Sequence, residues 1–164
     1  MVFSPGATCL VFGSRPALPT GRSAPTAELA PNGVVGDYSR DYKIQDNEFH
    51  IAGPSNGDIA SFYVASLNPQ YFLSITAFPG YLWEATPAHI QAISKMCINM
   101  FVGELDPMGW QDLMQKQASE FRAKGMTAQY TVEKGQPHRL GTFAGPNAGR
   151  LFDLVEQAKQ GCAK

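Results

Sequence analysis

The sequence has few charged residues, few cysteines and no long apolar run, and each absence excludes a class of protein. Only 16% of the 164 residues are charged and the formal net charge is −1. This balance gives no reason to expect a nucleic acid or an anionic membrane surface as a partner. No apolar run approaches the roughly 18–20 residues of a membrane span. The composition therefore predicts one soluble globular domain.

The three cysteines, Cys9, Cys97 and Cys162, are odd in number and widely separated. Without a C-x-x-C pair, neither a zinc site nor a disulfide framework is expected, although one long-range disulfide stays open. We predict free thiols, with Cys97 in or near the core, and no metal or cofactor. The short apolar stretch 7–12 has no preceding Lys or Arg and does not form a convincing signal peptide, so the compartment is left open.

Residues 1–46 differ in composition from the rest of the chain. Five prolines fall here, together with many glycines, at Pro5, Pro16, Pro19, Pro25 and Pro31. Such segments rarely build a core. We predict a Pro/Gly-rich segment with one candidate strand at residues 8–12 and irregular structure over 13–40, followed by a folded domain over 47–164.

From residue 48 onward, strand and helix patterns alternate. Strands are predicted at residues 48–52, 71–77, 98–102 and 127–132, and helices at 58–67, 88–95, 109–124 and 148–159. Thr86 with Pro87 marks a helix start, and Gly125 marks a helix end. The predicted apolar face of helix 109–124 consists of Trp110, Leu113, Met114, Gln117 and Phe121. The alternation predicts an α/β fold with a mostly parallel sheet and helices on both faces.

A Gly-Pro-Ser-Asn-Gly motif at residues 53–57 lies between the first predicted strand of this domain and its helix. This G-x-S-x-G pattern in a strand–turn–helix context is typical of a nucleophile elbow, which lifts a serine hydroxyl above the sheet. The glycines remove side chains that would clash at the crossing. Taken alone, the motif is a weak signal and more often marks an ordinary turn between a strand and a helix.

Two further reactive side chains follow the ends of predicted strands. Asp106 comes after strand 98–102, and His138 comes after strand 127–132. Ligands bind beyond the carboxyl ends of parallel strands, so Ser55, Asp106 and His138 are expected to meet there. Each also has a structural alternative: Asp106 as a turn residue before Pro107, and His138 as an ordinary loop histidine.

The three residue types have complementary chemistry. A serine hydroxyl is a poor nucleophile until a base takes its proton, and a histidine can do so near neutral pH. An aspartate can fix the tautomer of that histidine and stabilise its charged form. Glu104 is an alternative acid. His50 and His89 are not at strand ends and are interpreted as structural.

The chain order Ser, Asp, His and the three surrounding motifs resemble the α/β-hydrolase superfamily. Residues 53–82 resemble its elbow, helix and following strand; residues 101–106 (FVGELD) resemble its acid-bearing strand; and residues 133–139 (EKGQPHR) resemble its histidine loop. Polyhydroxybutyrate-depolymerase-like esterases and prolyl-oligopeptidase-type hydrolases are the most similar groups. The resemblance covers residues 48–160 and implies a catalytic triad of Ser55, Asp106 and His138, with the Asn56 N–H in the oxyanion hole.

This resemblance also implies departures from the complete fold. The domain corresponds to the carboxyl-terminal half of the superfamily fold, so a truncated α/β-hydrolase is expected. Strand 48–52 would then be an exposed edge, open to pairing in a homodimer. The only candidate for the second oxyanion donor is the stretch 12–14. Asp58 stands where a small residue is usual, and Pro54 precedes the nucleophile.

The first functional hypothesis is a serine hydrolase that cleaves a small-molecule ester through an acyl-enzyme. One alternative is an incomplete, catalytically silent hydrolase domain. Another is a serine peptidase of the same superfamily with a peptide-like substrate. Phe78, Trp83 and Trp110 lie near strand ends, where they could line an acyl pocket, but core packing is the prediction for each.

Overall fold

The computed structural model describes residues 10–13 and 48–161, which form a five-stranded sheet with helices on both faces. The strands are β1 (Leu10–Gly13), β2 (Phe49–Gly53), β3 (Phe72–Ala77), β4 (Cys97–Gly103) and β5 (Ala128–Glu133). The helices are α1 (Asn56–Leu67), α2 (Pro87–Ala92), α3 (Trp110–Ala123) and α4 (Arg150–Lys159). Short 3₁₀ segments lie at Pro69–Tyr71, Gly141–Phe143 and Gly145–Gly149.

Strands β2 to β5 are parallel and adjacent in chain order, so each returns beside its predecessor through a helical connection. The predicted alternation of strands and helices over residues 48–160 is therefore confirmed. All four carboxyl ends of the parallel strands lie at the same edge of the sheet. The segments that follow β2, β4 and β5 carry Ser55, Asp106 and His138 to that edge.

Strand β1 corrects the expectation of an exposed edge at residues 48–52. It pairs antiparallel with β2, and Leu10 lies opposite Ala52 while Gly13 lies opposite Phe49. The elbow strand β2 is thus an inner strand, and the premise for a homodimer through its edge is removed. The irregular structure predicted for 13–40 lies outside the described residues except at Gly13, which is in β1. The boundary near residue 46 lies outside them as well.

Two apolar clusters pack on opposite faces of the sheet because successive strand side chains alternate between faces. The larger cluster includes Ile51, Ile75, Ile98 and Met100 from the strands, Phe62 from α1, Met114 and Phe121 from α3, and Ile93, which directly follows α2. The smaller cluster lies under α4 and consists of Ala52, Phe78, Phe101, Leu140, Phe143, Leu151 and Leu154. Alternate residues of β2 and β4 divide between the two clusters, which confirms the predicted helices on both faces.

The helix boundaries follow local signals in the sequence. The Thr86 hydroxyl accepts a hydrogen bond from the His89 N–H. Thr86 is therefore the N-cap of α2, as predicted. Gly125 has φ +78° just after α3, the backbone geometry that favours glycine at a helix end. The predicted inner face of α3 is wrong at Leu113, which is exposed; the buried positions are Met114, Gln117, Ala118 and Phe121.

Two other findings bear on the expectations from composition. In the described part of the chain, no helix combines the length and apolarity that a bilayer crossing needs. Cys97 is buried, as predicted, but it is disulfide-bonded, so the prediction of a free thiol is wrong at this position. Spacing alone did not show this bond because the three cysteines are far apart in the sequence.

Candidate active site

Ser55 occupies a sharp turn between β2 and α1. Its φ is +56° and its ψ is −123°, and it is the only non-glycine residue with positive φ among those that the structure describes. Such a conformation costs roughly 1–3 kcal/mol and persists only where surrounding contacts impose it. Ser55 is the N-cap of α1, yet its hydroxyl makes no capping hydrogen bond. The hydroxyl is instead directed away from the helix, toward His138.

Backbone hydrogen bonds hold this turn in place. The Ser55 N–H donates to the Pro79 carbonyl at 2.8 Å, and the Gly57 N–H donates to the Pro54 carbonyl at 2.9 Å. The first bond ties the elbow to the segment that follows β3. Pro54 lacks an N–H but still contributes its carbonyl, so the expected departure at this position is compatible with the elbow.

The Asp58 side chain is buried against Gly80 under the elbow. Its carboxylate accepts a hydrogen bond from the Phe78 N–H. A Cβ atom at Gly80 would lie 2.0 Å from the Asp58 Cβ, so no larger residue fits there without rearrangement. A small residue is usual at position 58 in the superfamily that the sequence resembles. Asp58 fits there because the facing residue, Gly80, has no side chain.

Burial also changes the acidity of Asp58. Loss of hydration raises the pKa of this carboxyl well above its usual value, and the backbone N–H groups of Phe78 and Gly53 only partly oppose the shift. Asp58 therefore keeps its proton to a higher pH than an exposed carboxyl does.

His138 lies between Ser55 and Asp106. Its Nε2 atom is 2.9 Å from the Ser55 Oγ, and its Nδ1 atom is 2.9 Å from the Asp106 Oδ2. Since a carboxylate accepts hydrogen bonds, the proton of the neutral ring is placed on Nδ1, and Nε2 is free to accept from the serine. The Asp106 side chain is fully buried, whereas that of His138 is 23% exposed.

The loop that carries His138 packs directly on the end of β4. The Leu105 N–H donates to the Gln136 carbonyl at 2.9 Å. A Cβ atom at Gly103 would lie 2.2 Å from that same carbonyl oxygen, so this close approach requires glycine. The other oxygen of Asp106, Oδ1, accepts from the Met108 N–H at 2.8 Å, which fixes the carboxylate.

Glu104, the alternative acid, has a different partner. Its carboxylate accepts a hydrogen bond from the Gly135 N–H at 2.8 Å and so fastens the start of the histidine loop. An alternative acid would have to lie beside His138 Nδ1. Asp106 occupies that position, and Glu104 does not.

Asn56 is the first residue of α1, so its N–H has no partner within the helix and lies next to Ser55. The expectation for the second donor is wrong for Phe12 and Gly13, because they pair with His50 and Phe49 at the opposite end of β2 from the elbow. Five strand residues separate the two ends by roughly 13–16 Å. Ser14 lies outside the described residues.

The remaining two histidines, His50 and His89, lie away from Ser55 and have their own hydrogen-bond partners. The His50 Nδ1 is 2.7 Å from the Ser74 Oγ inside the sheet, and the His89 Nδ1 is 2.7 Å from the Glu84 carbonyl oxygen. Of the aromatic residues near strand ends, Phe78 is buried in the smaller cluster and Trp110 is half-buried, but core packing is wrong for Trp83, which is largely exposed.

Metal-ligating residues are not grouped in the described part of the chain: no three His, Cys, Asp or Glu side chains are arranged to hold an ion. The arrangement around Ser55 instead brings together a hydroxyl, an imidazole and a carboxylate in one hydrogen-bonded row. Such a row can move a proton from the hydroxyl to the ring while the carboxylate stabilises the charge that forms.

No protein-family model matches the sequence, and no curated protein sequence matches it significantly. Solved structures do match its fold. A thermostable esterase aligns over 65% of this chain with 19% identity and a TM-score of 0.55. A protein described as a predicted CIB-like hydrolase from Thermoplasma acidophilum aligns over 77% with 15% identity and a TM-score of 0.51. Acyl-protein thioesterase 2 of Zea mays aligns over 65% with 15% identity and a TM-score of 0.49.

The alignments cover only part of these similar structures. The chain spans 54% of the thioesterase, 28% of the esterase and 58% of the CIB-like hydrolase. Identities this low establish the fold and not the activity. The parallel strands, the helices on both faces and the similarities to the thermostable esterase and the CIB-like hydrolase together identify the chain as having the α/β-hydrolase fold.

Proposed function

We propose that the protein is a serine hydrolase that cleaves esters through an acyl-enzyme. The observation that carries this proposal is the continuous hydrogen-bonded row from the Ser55 hydroxyl through His138 to Asp106, with 2.9 Å at each step. The strained backbone at Ser55 supports it, since the turn presents the hydroxyl to the ring rather than to its own helix.

The reaction would proceed in two halves. The Ser55 Oγ attacks the ester carbonyl carbon while the His138 Nε2 takes the hydroxyl proton. The tetrahedral intermediate collapses as His138 gives this proton to the leaving alcohol, and the acyl group remains on Ser55. Water then attacks the acyl-enzyme with His138 again as base, which releases the acid and restores the serine.

The neighbouring groups would lower the barrier for each half. Asp106 keeps the Nδ1 proton in place and stabilises the ring when it becomes charged. The Asn56 N–H, at the positive end of the α1 dipole, would donate to the developing oxyanion. In other serine hydrolases, one such donor contributes roughly 100- to 1000-fold to turnover.

Labelling with a fluorophosphonate probe tests the proposal. We expect the wild-type protein to be labelled and to hydrolyse p-nitrophenyl acetate, and both activities to be lost in Ser55→Ala and in His138→Ala. An unlabelled protein with a folded circular-dichroism spectrum would contradict the proposal and favour a catalytically silent domain. If labelling succeeds, matched ester and peptide substrates distinguish an esterase from a peptidase.

A further inference from the structure

We propose that Tyr81, Trp83 and Trp110 form a binding surface for an extended apolar acyl group. We call these three residues the aromatic cluster. This inference rests on the proposed function, because it assigns a substrate class to the same site. The acyl group would extend from an ester carbonyl at Ser55, past His138, and along Trp110 and Trp83, with the buried Tyr81 ring supporting both indoles.

The aromatic cluster leads directly away from His138. The Trp110 ring meets the His138 ring edge-on, with 5.0 Å between centroids. Tyr81 packs edge-on against Trp110 at 5.3 Å, and Trp83 lies 5.8 Å from Tyr81. Trp110 is half-buried, Tyr81 is buried and Trp83 is 61% exposed. The three rings thus connect the candidate base to an indole that faces solvent.

The segment that carries Tyr81 and Trp83 is held by a side-chain clamp. Gln117 of α3 accepts a hydrogen bond from the Leu82 N–H at 2.8 Å and donates to the Leu82 carbonyl at 2.9 Å. Both partners are buried. Because the backbone between the two aromatic residues is fixed, a ligand would not have to order it on binding.

Apolar side chains also surround the acid. Leu105 is 63% exposed and Met108 is 59% exposed, and they flank Asp106 in sequence. Large apolar side chains at such exposure gain stability when a ligand covers them. Their position on the loop of the candidate acid, together with the aromatic cluster beside the candidate base, favours an apolar ligand that belongs to the reacting ester.

The chain provides its own reporter for this site. Its two tryptophans are Trp83 and Trp110, so intrinsic tryptophan fluorescence comes from the aromatic cluster alone. The test uses Ser55→Ala protein and N-methyloctanamide, an amide analogue of an octanoyl ester. We expect a saturable fluorescence change with this probe, and none over the same concentrations of N-methylacetamide.

Substitutions at Trp83 locate the binding. Adding Trp83→Ala should weaken N-methyloctanamide binding roughly tenfold, with Trp110 still reporting. Trp83→Phe should restore most of the affinity, since it keeps an aromatic ring. The matched control is Phe152→Ala, which removes an aromatic residue of similar exposure (54%) from α4 and should leave binding unchanged.

Absence of saturable binding would overturn the inference, including the case in which another part of the chain or a second copy covers the aromatic cluster. Equal weakening by Trp83→Ala and Phe152→Ala would overturn it as well. Fluorophosphonate labelling of the wild type separates the two proposals. A labelled protein that does not bind the octanamide keeps the hydrolase proposal and rejects the acyl surface. An octanamide-binding protein that is not labelled rejects the hydrolase proposal.

Discussion

Two serine–histidine hydrogen bonds lie within the described residues, and they differ in their place in the fold and in their surroundings. His50 and Ser74 are opposite each other on neighbouring strands, and their side chains meet at 2.7 Å inside the sheet. His138 and Ser55 are 83 positions apart and meet at 2.9 Å beyond the strand ends. The first pair forms because the register of β2 and β3 places the two residues opposite each other. The second forms because the parallel topology brings the segments after β2 and β5 to the same edge of the sheet.

The surroundings of the two histidines differ, which is why we propose a role in the reaction for His138 only. His50 is 2% exposed, and its Nε2 atom has no hydrogen-bond partner among the residues that the structure describes. Burial and, to a lesser extent, the nearby Lys159 lower its pKa to about 4, while Glu156 opposes the shift. His138 is half-buried and has a carboxylate on one nitrogen and a strained serine on the other. A histidine–serine contact is therefore not sufficient; the acid, the access and the elbow distinguish the second pair.

We expect the largest effect from replacing Asp106, the carboxylate that contacts His138 of the Ser55–His138 pair. Asp106→Asn should lower kcat for p-nitrophenyl acetate by about 10⁴-fold, because an amide no longer selects the required tautomer of His138. Steady-state hydrolysis measures this. Asp153→Asn, an exposed carboxylate on α4, is the control and should retain full activity. A loss smaller than tenfold in Asp106→Asn would show that His138 does not depend on this carboxylate.

The buried His50–Ser74 pair should make the free energy of unfolding depend on pH. The folded pKa of His50, about 4, lies below the ordinary value of 6.5, so the unfolded chain takes up a proton first. The free energy of unfolding should be unaffected above pH 6.5 and should fall by about 3 kcal/mol as the pH drops to 4. Urea denaturation at several pH values measures this fall.

The control for this pH dependence is His50→Asn, which has no titrating ring. Its overall stability is lower, but its loss between pH 6.5 and pH 4 should be smaller than that of the wild type by about the same 3 kcal/mol. Identical pH dependence in both proteins would assign the acid sensitivity to other groups.

The elbow can be disturbed separately from either histidine. Gly80→Ala places a methyl group against the Asp58 Cβ and should destabilise the fold by about 1–3 kcal/mol and reduce turnover. Asp58→Gly in the same protein should recover part of this loss, because it removes the atoms that clash. Thermal unfolding of both single variants and the double variant gives the coupling, and additive effects would show that the two positions are independent.

The smallest expected effect on activity comes from replacing Ser74, the serine that contacts His50. Ser74→Ala leaves the His50 Nδ1 without its partner and should cost about 1–3 kcal/mol of stability. Fluorophosphonate labelling and ester turnover should be unchanged at a temperature where the variant is folded. A loss of labelling in folded Ser74→Ala would mean that the His50–Ser74 pair takes part in the chemistry.

The parts of the structure that follow from local patterns could be predicted from the sequence. Strands β2, β3 and β4 are short, largely apolar runs bounded by turn residues, and β5 combines β-branched and aromatic residues with polar ones. The parallel topology then places Ser55, Asp106 and His138 at one edge. The cap at Thr86 follows from side-chain chemistry alone. These features need no knowledge of which distant residues touch.

The features that could not be predicted depend on contacts between distant segments. The pairing partner and direction of β1 cannot be read from four residues in a segment rich in proline and glycine. The fit of Asp58 against Gly80 and the clamp of Gln117 on Leu82 join positions 22 and 35 apart, respectively. The wrong prediction that Leu113 faces inward has a simpler cause. The buried face of α3 covers a smaller arc of the helix than the spacing of its apolar residues indicated.

Peptide mapping of the fluorophosphonate adduct by mass spectrometry tests the central claim most directly. We expect one adduct, on Ser55, with none on Ser74 and none in His138→Ala protein. A folded wild-type protein that carries no adduct on Ser55, or that is modified at another serine instead, would contradict it.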